Sequence, residues 1–197
     1  IIGLHSLYCQ KVRNITDISI FLDVNENLRK YFKINRDIKR RKYKKKEIIH
    51  EIKRRKKDSD LYIKKQKKYA DIIFQINSLN EKNVKKEYNN EWVETKIKFL
   101  IKKEINTSLL KNVISKIFKN FKYKEEKNYL SIELNSKDMI LKNFKSELKK
   151  ISKNLEEILA ISPNYMDKEH GIMQFIVLFF IFDRVKLERK KSKLFYN

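Results

Sequence analysis

Glycine, proline and cysteine are scarce in this sequence of 197 residues, which contains 2 glycines, 1 proline and 1 cysteine. With two glycines so far apart, the phosphate-binding pattern G-x-x-x-x-G-K-[ST] occurs nowhere in the sequence. The single cysteine, Cys9, excludes an internal disulfide framework and is compatible with an intracellular location, in the cytoplasm or an organelle. The three histidines have no ligand spacing with Cys9, so no metal site is predicted.

Long hydrophobic runs are also missing. The longest extends from Ile172 to Phe182 and is interrupted only by Gln174. It is shorter than the roughly 20 residues that a membrane-spanning helix needs, so no membrane partner is predicted. The sequence has neither a signal-peptide pattern nor an initial methionine, and it begins within an apolar segment. We therefore expect it to be a piece of a longer protein.

Positive charge is abundant. Lys and Arg number 48 against 25 Asp and Glu, which gives a formal net charge of +23. Such an excess usually indicates a phosphate-bearing partner: nucleic acid, an anionic membrane or a phosphorylated small molecule. Lys, Asn and Ile are frequent throughout the chain, however, as a coding bias toward A and T would also produce. Charge alone therefore does not identify the partner.

The order of apolar patterns predicts an α/β fold. Residues 17–23 alternate as a strand, Asn25 is a suitable N-cap for a helix to about Lys42, and a second basic helix covers 45–56. A buried strand at 70–76 completes a first domain, 1–76, in which cations collect between two apolar strands. A polar linker or insertion at 77–90 and an α+β extension at 91–197 follow. In that extension, Ser136 is the predicted N-cap of a long helix to residue 159.

Four stretches of the first domain recur in one order over about 75 residues. They are Gly3-Leu4-His5, Asp17–Asp23, Lys33-Ile34-Asn35-Arg36-Asp37 with Arg41, and Asp58–Ile63 with Gln66–Ile73. This series resembles the phosphoribulokinase/uridine kinase family of P-loop kinases, whose lid signature is Lys-Ile-x-Arg-Asp-x-x-x-Arg. Within that family, the pair Gln66-Lys67 favours a resemblance to the phosphoribulokinase branch. The resemblance implies a P-loop kinase-like parallel sheet flanked by helices, incomplete at its N-terminus.

The resemblance also implies a reaction and its site. The family transfers the γ-phosphoryl group of ATP, with Mg²⁺, to a hydroxyl of a sugar phosphate or nucleoside, and positive charge around the phosphoryl group is the main requirement. By resemblance, Arg36 and Asp37 are the expected catalytic residues, and Lys33, Arg41 and His5 bind phosphates or substrate. The sequence leaves open whether the protein forms a homo-oligomer.

Departures from the family pattern are specific. Position 2 is Ile where the family has an acidic residue for the Mg²⁺ region, and Lys42 replaces the glycine that follows the lid. The ATP-binding P-loop is absent, so the cofactor-binding residues are unknown and this chain alone is expected to be inactive. A non-catalytic, kinase-derived structural or regulatory protein is therefore an alternative.

A basic nucleic-acid-binding module is a further alternative. Residues 36–57 contain 13 basic and 3 acidic residues, a density that suits a phosphate backbone. Aromatic residues do not interleave with this run as a base-stacking surface would require, and no DNA- or RNA-reading motif is present. Nucleic acid is consequently not the favoured partner.

Overall fold

The computed structural model describes residues 2–79, 84, 93–102, 106–153, 164, 166 and 168–195. The chain divides into two compact units, Ile1–Phe99 and Leu100–Asn197. The predicted boundaries at 76 and 90 stay a prediction, because most of 77–90 lies outside the described residues. In the first unit the main elements are α1 (Gln10–Asn14), β1 (Ile20–Val24), α2 (Glu26–Arg41), α3 (Lys45–Arg54), α4 (Lys56–Asp58) and β2 (Ile72–Ser78).

The other elements begin with β3 (Thr95–Lys102), which spans the division between the units. The second unit continues with α5 (Thr107–Ile117), β4 (Lys122–Glu125), β5 (Tyr129–Leu134), α6 (Leu141–Lys153) and α7 (Lys168–Phe195). The five described strands form a mixed sheet in the order β1-β2-β3-β5-β4. Together with the flanking helices, this confirms the predicted α/β class.

A parallel pair of strands underlies the first unit. Ile20 of β1 lies opposite Ile72 of β2, and Val24 lies opposite Ile76. Parallel strands need a long crossover connection, and here α2, α3, α4 and the turns up to Tyr69 provide it. The side chains of Ile72, Ile73 and Phe74 are buried, as the apolar run predicts.

Helix α2 has clear start and stop signals. The side chain of Asn25 accepts hydrogen bonds from the backbone N–H groups of Asn27 and Leu28, which confirms the predicted N-cap. At the other end, Lys42 adopts the left-handed conformation with a φ of 59°. Glycine takes this conformation without steric cost, whereas a lysine does not.

Helix α3 packs onto α2 through an isoleucine cluster. Ile34 of α2 contacts Ile48 and Ile52 of α3, all three are buried, and Ile49 lies at the edge. Burying an isoleucine side chain contributes about 1.5–3 kcal/mol. This cluster therefore fixes the two basic helices side by side, with their charged faces left toward solvent.

The second unit combines a hairpin with helices. Strands β4 and β5 are antiparallel, with Lys122 opposite Glu133. Asn106 caps α5, and its backbone N–H donates to the buried carboxylate of Asp183 in α7. No helix in the described part of the chain is both long and apolar enough to cross a membrane.

One local prediction is wrong. Ser136 opens a short 3-10 turn, Ser136–Asp138, and the helix begins only at Leu141. The backbone between them forms hydrogen bonds with the end of α5 and the residues after it. Ile140 N–H donates to Ile117 O, and Lys119 N–H donates to Asp138 O. Near the N-terminus, residues 4–8 form hydrogen-bonded turns that begin with the bond from Ser6 N–H to Gly3 O.

Candidate functional site

Three cations of α2 surround one carboxylate. Lys33 Nζ lies 3.0 Å from Asp37 Oδ2, and Arg36 Nε lies 2.8 Å from Asp37 Oδ1. Arg41 Nη1 is more distant, at 3.6 Å from Asp37 Oδ1. We call these four residues the lid cluster. The helical spacing places Lys33 and Arg41 one turn before and one turn after Asp37, so all three cations can reach the same carboxylate.

The carboxylate is buried and its partners are not. The side chain of Asp37 is 2% exposed, whereas those of Lys33, Arg36 and Arg41 are 24%, 47% and 53% exposed. The hydrogen bond from Arg36, aided by Lys33 and opposed by burial, lowers the pKa of Asp37 from 3.8 to about 2. Asp37 therefore remains a carboxylate at neutral pH and holds the cations at one end while their other faces reach solvent.

A cavity of about 1180 Å³ lies beside this cluster. His5, Lys33 and Arg36 line it together, so the structure brings three of the predicted residues to one place. Asp37 and Arg41 do not line this cavity; they line a neighbouring one of about 400 Å³, which Lys33 also lines. Since Asp37 has no contact with the larger cavity, its geometry fits orienting the cations better than contacting a sugar.

Sequence reasoning missed further cations of the larger cavity. Arg54 and Arg55, at the end of α3 and just beyond it, line the cavity, and both pair with Glu51. Arg55 follows Ile52 by three positions and Ile48 by seven, so helical spacing places it on the side that packs toward α2. This spacing is the sequence signal that could have placed Arg55 on the cavity wall. Five other residues of the wall are also basic: Arg29, Lys33, Arg36, Lys39 and Arg40.

His5 comes from a hydrogen-bonded turn that precedes α1. Its carbonyl oxygen accepts from the N–H of Tyr8 at 3.0 Å, and the two rings meet edge to face at 6.4 Å. Leu4 lines the cavity with His5, and Ile63 lies on the same wall. The turn therefore presents an imidazole ring beside a strongly basic surface.

The cavity suits phosphate groups better than metal ions. Lys and Arg donors match phosphate oxygens in charge and hydrogen bonding. Among the described residues, no group of three or more His, Cys, Asp or Glu side chains could hold a metal ion. Ile2 is fully exposed and offers no ligand at the position of the expected acid. We therefore assign no Mg²⁺ ligand among the residues that the structure describes.

Comparison with known proteins identifies relatives of the first unit. Residues 1–85 match the model of the phosphoribulokinase / uridine kinase family. Phosphoribulokinase of Synechocystis is 40% identical over 74 residues, which are 38% of this chain and 22% of that protein. The chloroplastic phosphoribulokinase of Spinacia oleracea is also 40% identical over 74 residues, 38% of this chain and 18% of its own.

A relative whose name refers to nucleosides matches a stretch of similar length. Uridine-cytidine kinase A of Dictyostelium discoideum is 37% identical over 79 residues, 40% of this chain and 16% of that protein. The chain therefore spans about a fifth of the length of the curated relatives it matches. Residues 1–85, which match the family model, include the lid cluster and the turn that carries His5.

Proposed function

We propose, because residues 1–85 match a family of kinases, that this chain forms the lid and part of the substrate pocket of a phosphotransferase. The reaction is transfer of the γ-phosphoryl group of ATP to a hydroxyl of a sugar phosphate, with a nucleoside as the alternative acceptor. The observation that carries the proposal is the shared cavity of His5, Lys33 and Arg36. A sugar phosphate is favoured over a nucleoside because the cavity wall is rich in cations.

Arg36 is suited to contact a phosphoryl group. It binds Asp37 through Nε, which leaves its two terminal nitrogens for a ligand in the cavity. Donors that are held in place before the reaction stabilise developing negative charge, and removing one typically costs about 2.7–4 kcal/mol of transition-state stabilisation. Lys33 supplies a second positive charge on the same helix face. ATP, when bound, supplies the phosphoryl group.

Asp37 supports this role without touching the substrate. By fixing Lys33 and Arg36 it removes side-chain freedom that ligand binding would otherwise have to remove, which costs about 1.5–2 kcal/mol for a long charged side chain. Arg41, at 3.6 Å from the carboxylate, is held less tightly and lies toward the smaller cavity. We therefore assign Arg41 to phosphate binding at the periphery.

The proposal is tested by calorimetric binding to four ligands: ribulose phosphate, unphosphorylated ribulose, uridine and ATP. We expect ribulose phosphate to bind at about 0.15 M salt and ribulose to bind at least tenfold more weakly, because only the ester engages the cations. Equal affinity for the two sugars would overturn the assignment. Tighter binding of uridine than of ribulose phosphate would select the nucleoside acceptor.

Two further measurements separate the alternatives. The isolated chain should not transfer phosphate from ATP, since its sequence contains no P-loop; measurable turnover would contradict this expectation. Binding to duplex DNA, measured by fluorescence polarisation, should weaken steeply with salt and show no competition with ribulose phosphate. Tight binding to nucleic acid at about 0.15 M salt, without a response to ribulose phosphate, would favour the nucleic-acid-binding alternative.

A further inference from the structure

We propose that Gln66 is a positioning residue that holds His5 at the cavity; this inference rests on the proposed function. The side chain of Gln66 is buried, and the whole residue is only 3% exposed. It lies in the turn that leads to β2, about 60 positions from His5 in the sequence, and it does not line the cavity of His5. Any effect on a ligand there must therefore pass through other residues.

One amide group makes all the connections. Its Oε1 accepts a hydrogen bond from the backbone N–H of Leu7 at 2.9 Å. Its Nε2 donates to the carbonyl oxygens of Leu4 at 2.8 Å and Tyr62 at 3.0 Å. A neutral amide is the side-chain group that offers one acceptor and two donors at this position, so an ionised carboxylate of equal length would keep the first bond and lose the other two.

Two of these hydrogen bonds lie on either side of His5 in the sequence. Leu4 and Leu7 flank it in the turn, and both are bound by the same amide group. Leu4, His5 and Ile63 line the cavity, and Ile63 follows Tyr62, the third residue that Gln66 contacts. Gln66 therefore connects the backbone of the turn, at Leu4 and Leu7 on either side of His5, to Tyr62 beside the neighbouring wall.

A second, independent contact fixes the far side of the turn. Arg13 donates to the carbonyl oxygens of Leu7 at 2.9 Å and Tyr8 at 2.8 Å, and its guanidinium lies 4.0 Å from the centre of the Tyr69 ring. With this side retained, loss of the Gln66 contacts should shift the turn rather than unfold it. A shift of about 1 Å in a substrate-contacting group is enough to reduce its effect by up to about a hundredfold.

The test is a double-mutant cycle of Gln66→Glu and His5→Ala. Affinity for ribulose phosphate is measured by calorimetry for the wild type, each single variant and the double variant. We expect each single variant to bind about tenfold more weakly and the double variant to bind no more weakly than His5→Ala, because Gln66 acts through His5. Independent, multiplying losses would overturn the proposal.

Structural readouts separate this inference from the proposed function. In Gln66→Glu, the ring signals of His5 in NMR spectra should move and the amide proton of Leu7 should exchange faster, whereas Gln75→Glu, in β2, should change neither. If the wild type binds no ribulose phosphate, the proposed function fails and these signals still decide whether Gln66 positions His5. Unchanged His5 signals would refute that. If Gln66→Glu does not fold, Gln66→Asn, which keeps the amide one methylene shorter, replaces it.

Discussion

Replacing Asp37 by Asn removes the one negative charge that the three cations of the lid cluster share. The amide is nearly the same size, so packing around this buried position is preserved. Its oxygen can still accept one hydrogen bond, but its nitrogen then faces Lys33 or Arg36, neither of which can accept. We expect the variant to fold and to be less stable than the wild type at neutral pH.

The magnitude follows from the pKa of Asp37. A shift from 3.8 to about 2 corresponds to about 2 kcal/mol of stability at pH 7. The folded-state pKa lies below the unfolded-state value, so this stabilisation is complete above about pH 5 and is lost as the pH falls toward 2. At pH 3, between the two pKa values, roughly half of it remains. Although the side chain of Asp37 is buried, Arg36 and Arg41 are about half exposed, so salt should reduce this stabilisation.

The assay is urea denaturation of the wild type and of Asp37→Asn at pH 7 and pH 3. We expect the difference in unfolding free energy to be about 2 kcal/mol at pH 7 and about half of that at pH 3. Asp60→Asn is the matched control. Asp60, like Asp37, pairs with cations on its own segment, in this case two lysines, but its side chain is 40% exposed. Its effect should be clearly smaller. A difference between the wild type and Asp37→Asn that does not change with pH would show that the charge of Asp37 does not stabilise the fold.

Three further predictions concern stability and are checked by the same denaturation assay. Lys42→Gly should stabilise the protein by about 0.5–1 kcal/mol because φ is 59° at this position, and a loss would contradict that account. Ile34→Ala should destabilise by about 2–4 kcal/mol through loss of the contact between α2 and α3, and a change below about 1 kcal/mol would refute the role of that cluster. Gly171→Ala should destabilise although alanine favours helices, because its Cβ would collide with the carbonyl oxygen of Met166; Gly3→Ala, with open space around it, is the control and should be neutral.

Local signals predicted the first unit well. The alternation at 17–23 and the apolar run at 70–76 identified β1 and β2, and Asn25 marked the start of α2 because a cap acts only on its own first turn. The start of α6 was missed because Ile140 hydrogen-bonds Ile117, more than twenty positions away. Periodicity reports the preference of a segment, whereas such a contact depends on what another segment leaves unpaired.

In the candidate site, too, some residues could be predicted from local sequence and others could not. The family resemblance pointed to Lys33 and Arg36, and their three-residue spacing on one helix predicted that they share a face. The burial of Asp37 could not, since it depends on packing beyond the helix. Arg54 and Gln66 were missed as contributors because their positions relative to His5 depend on the crossover between β1 and β2. The resemblance therefore pointed to the residues of the lid cluster, whose roles stay a prediction, but not to the residues that complete and support the cavity.

Arg36 is proposed to bind a phosphate group in the cavity that it shares with His5. The most direct measurement compares the affinity for ribulose phosphate of the wild type, Arg36→Ala and Lys46→Ala at about 0.15 M salt. Lys46 is exposed on α3 and does not line the cavity, so both variants lose one positive charge but only one loses a ligand contact. We predict at least a tenfold loss for Arg36→Ala and no more than about a twofold loss for Lys46→Ala. Equal losses would mean that general charge, and not this cavity, binds the phosphate.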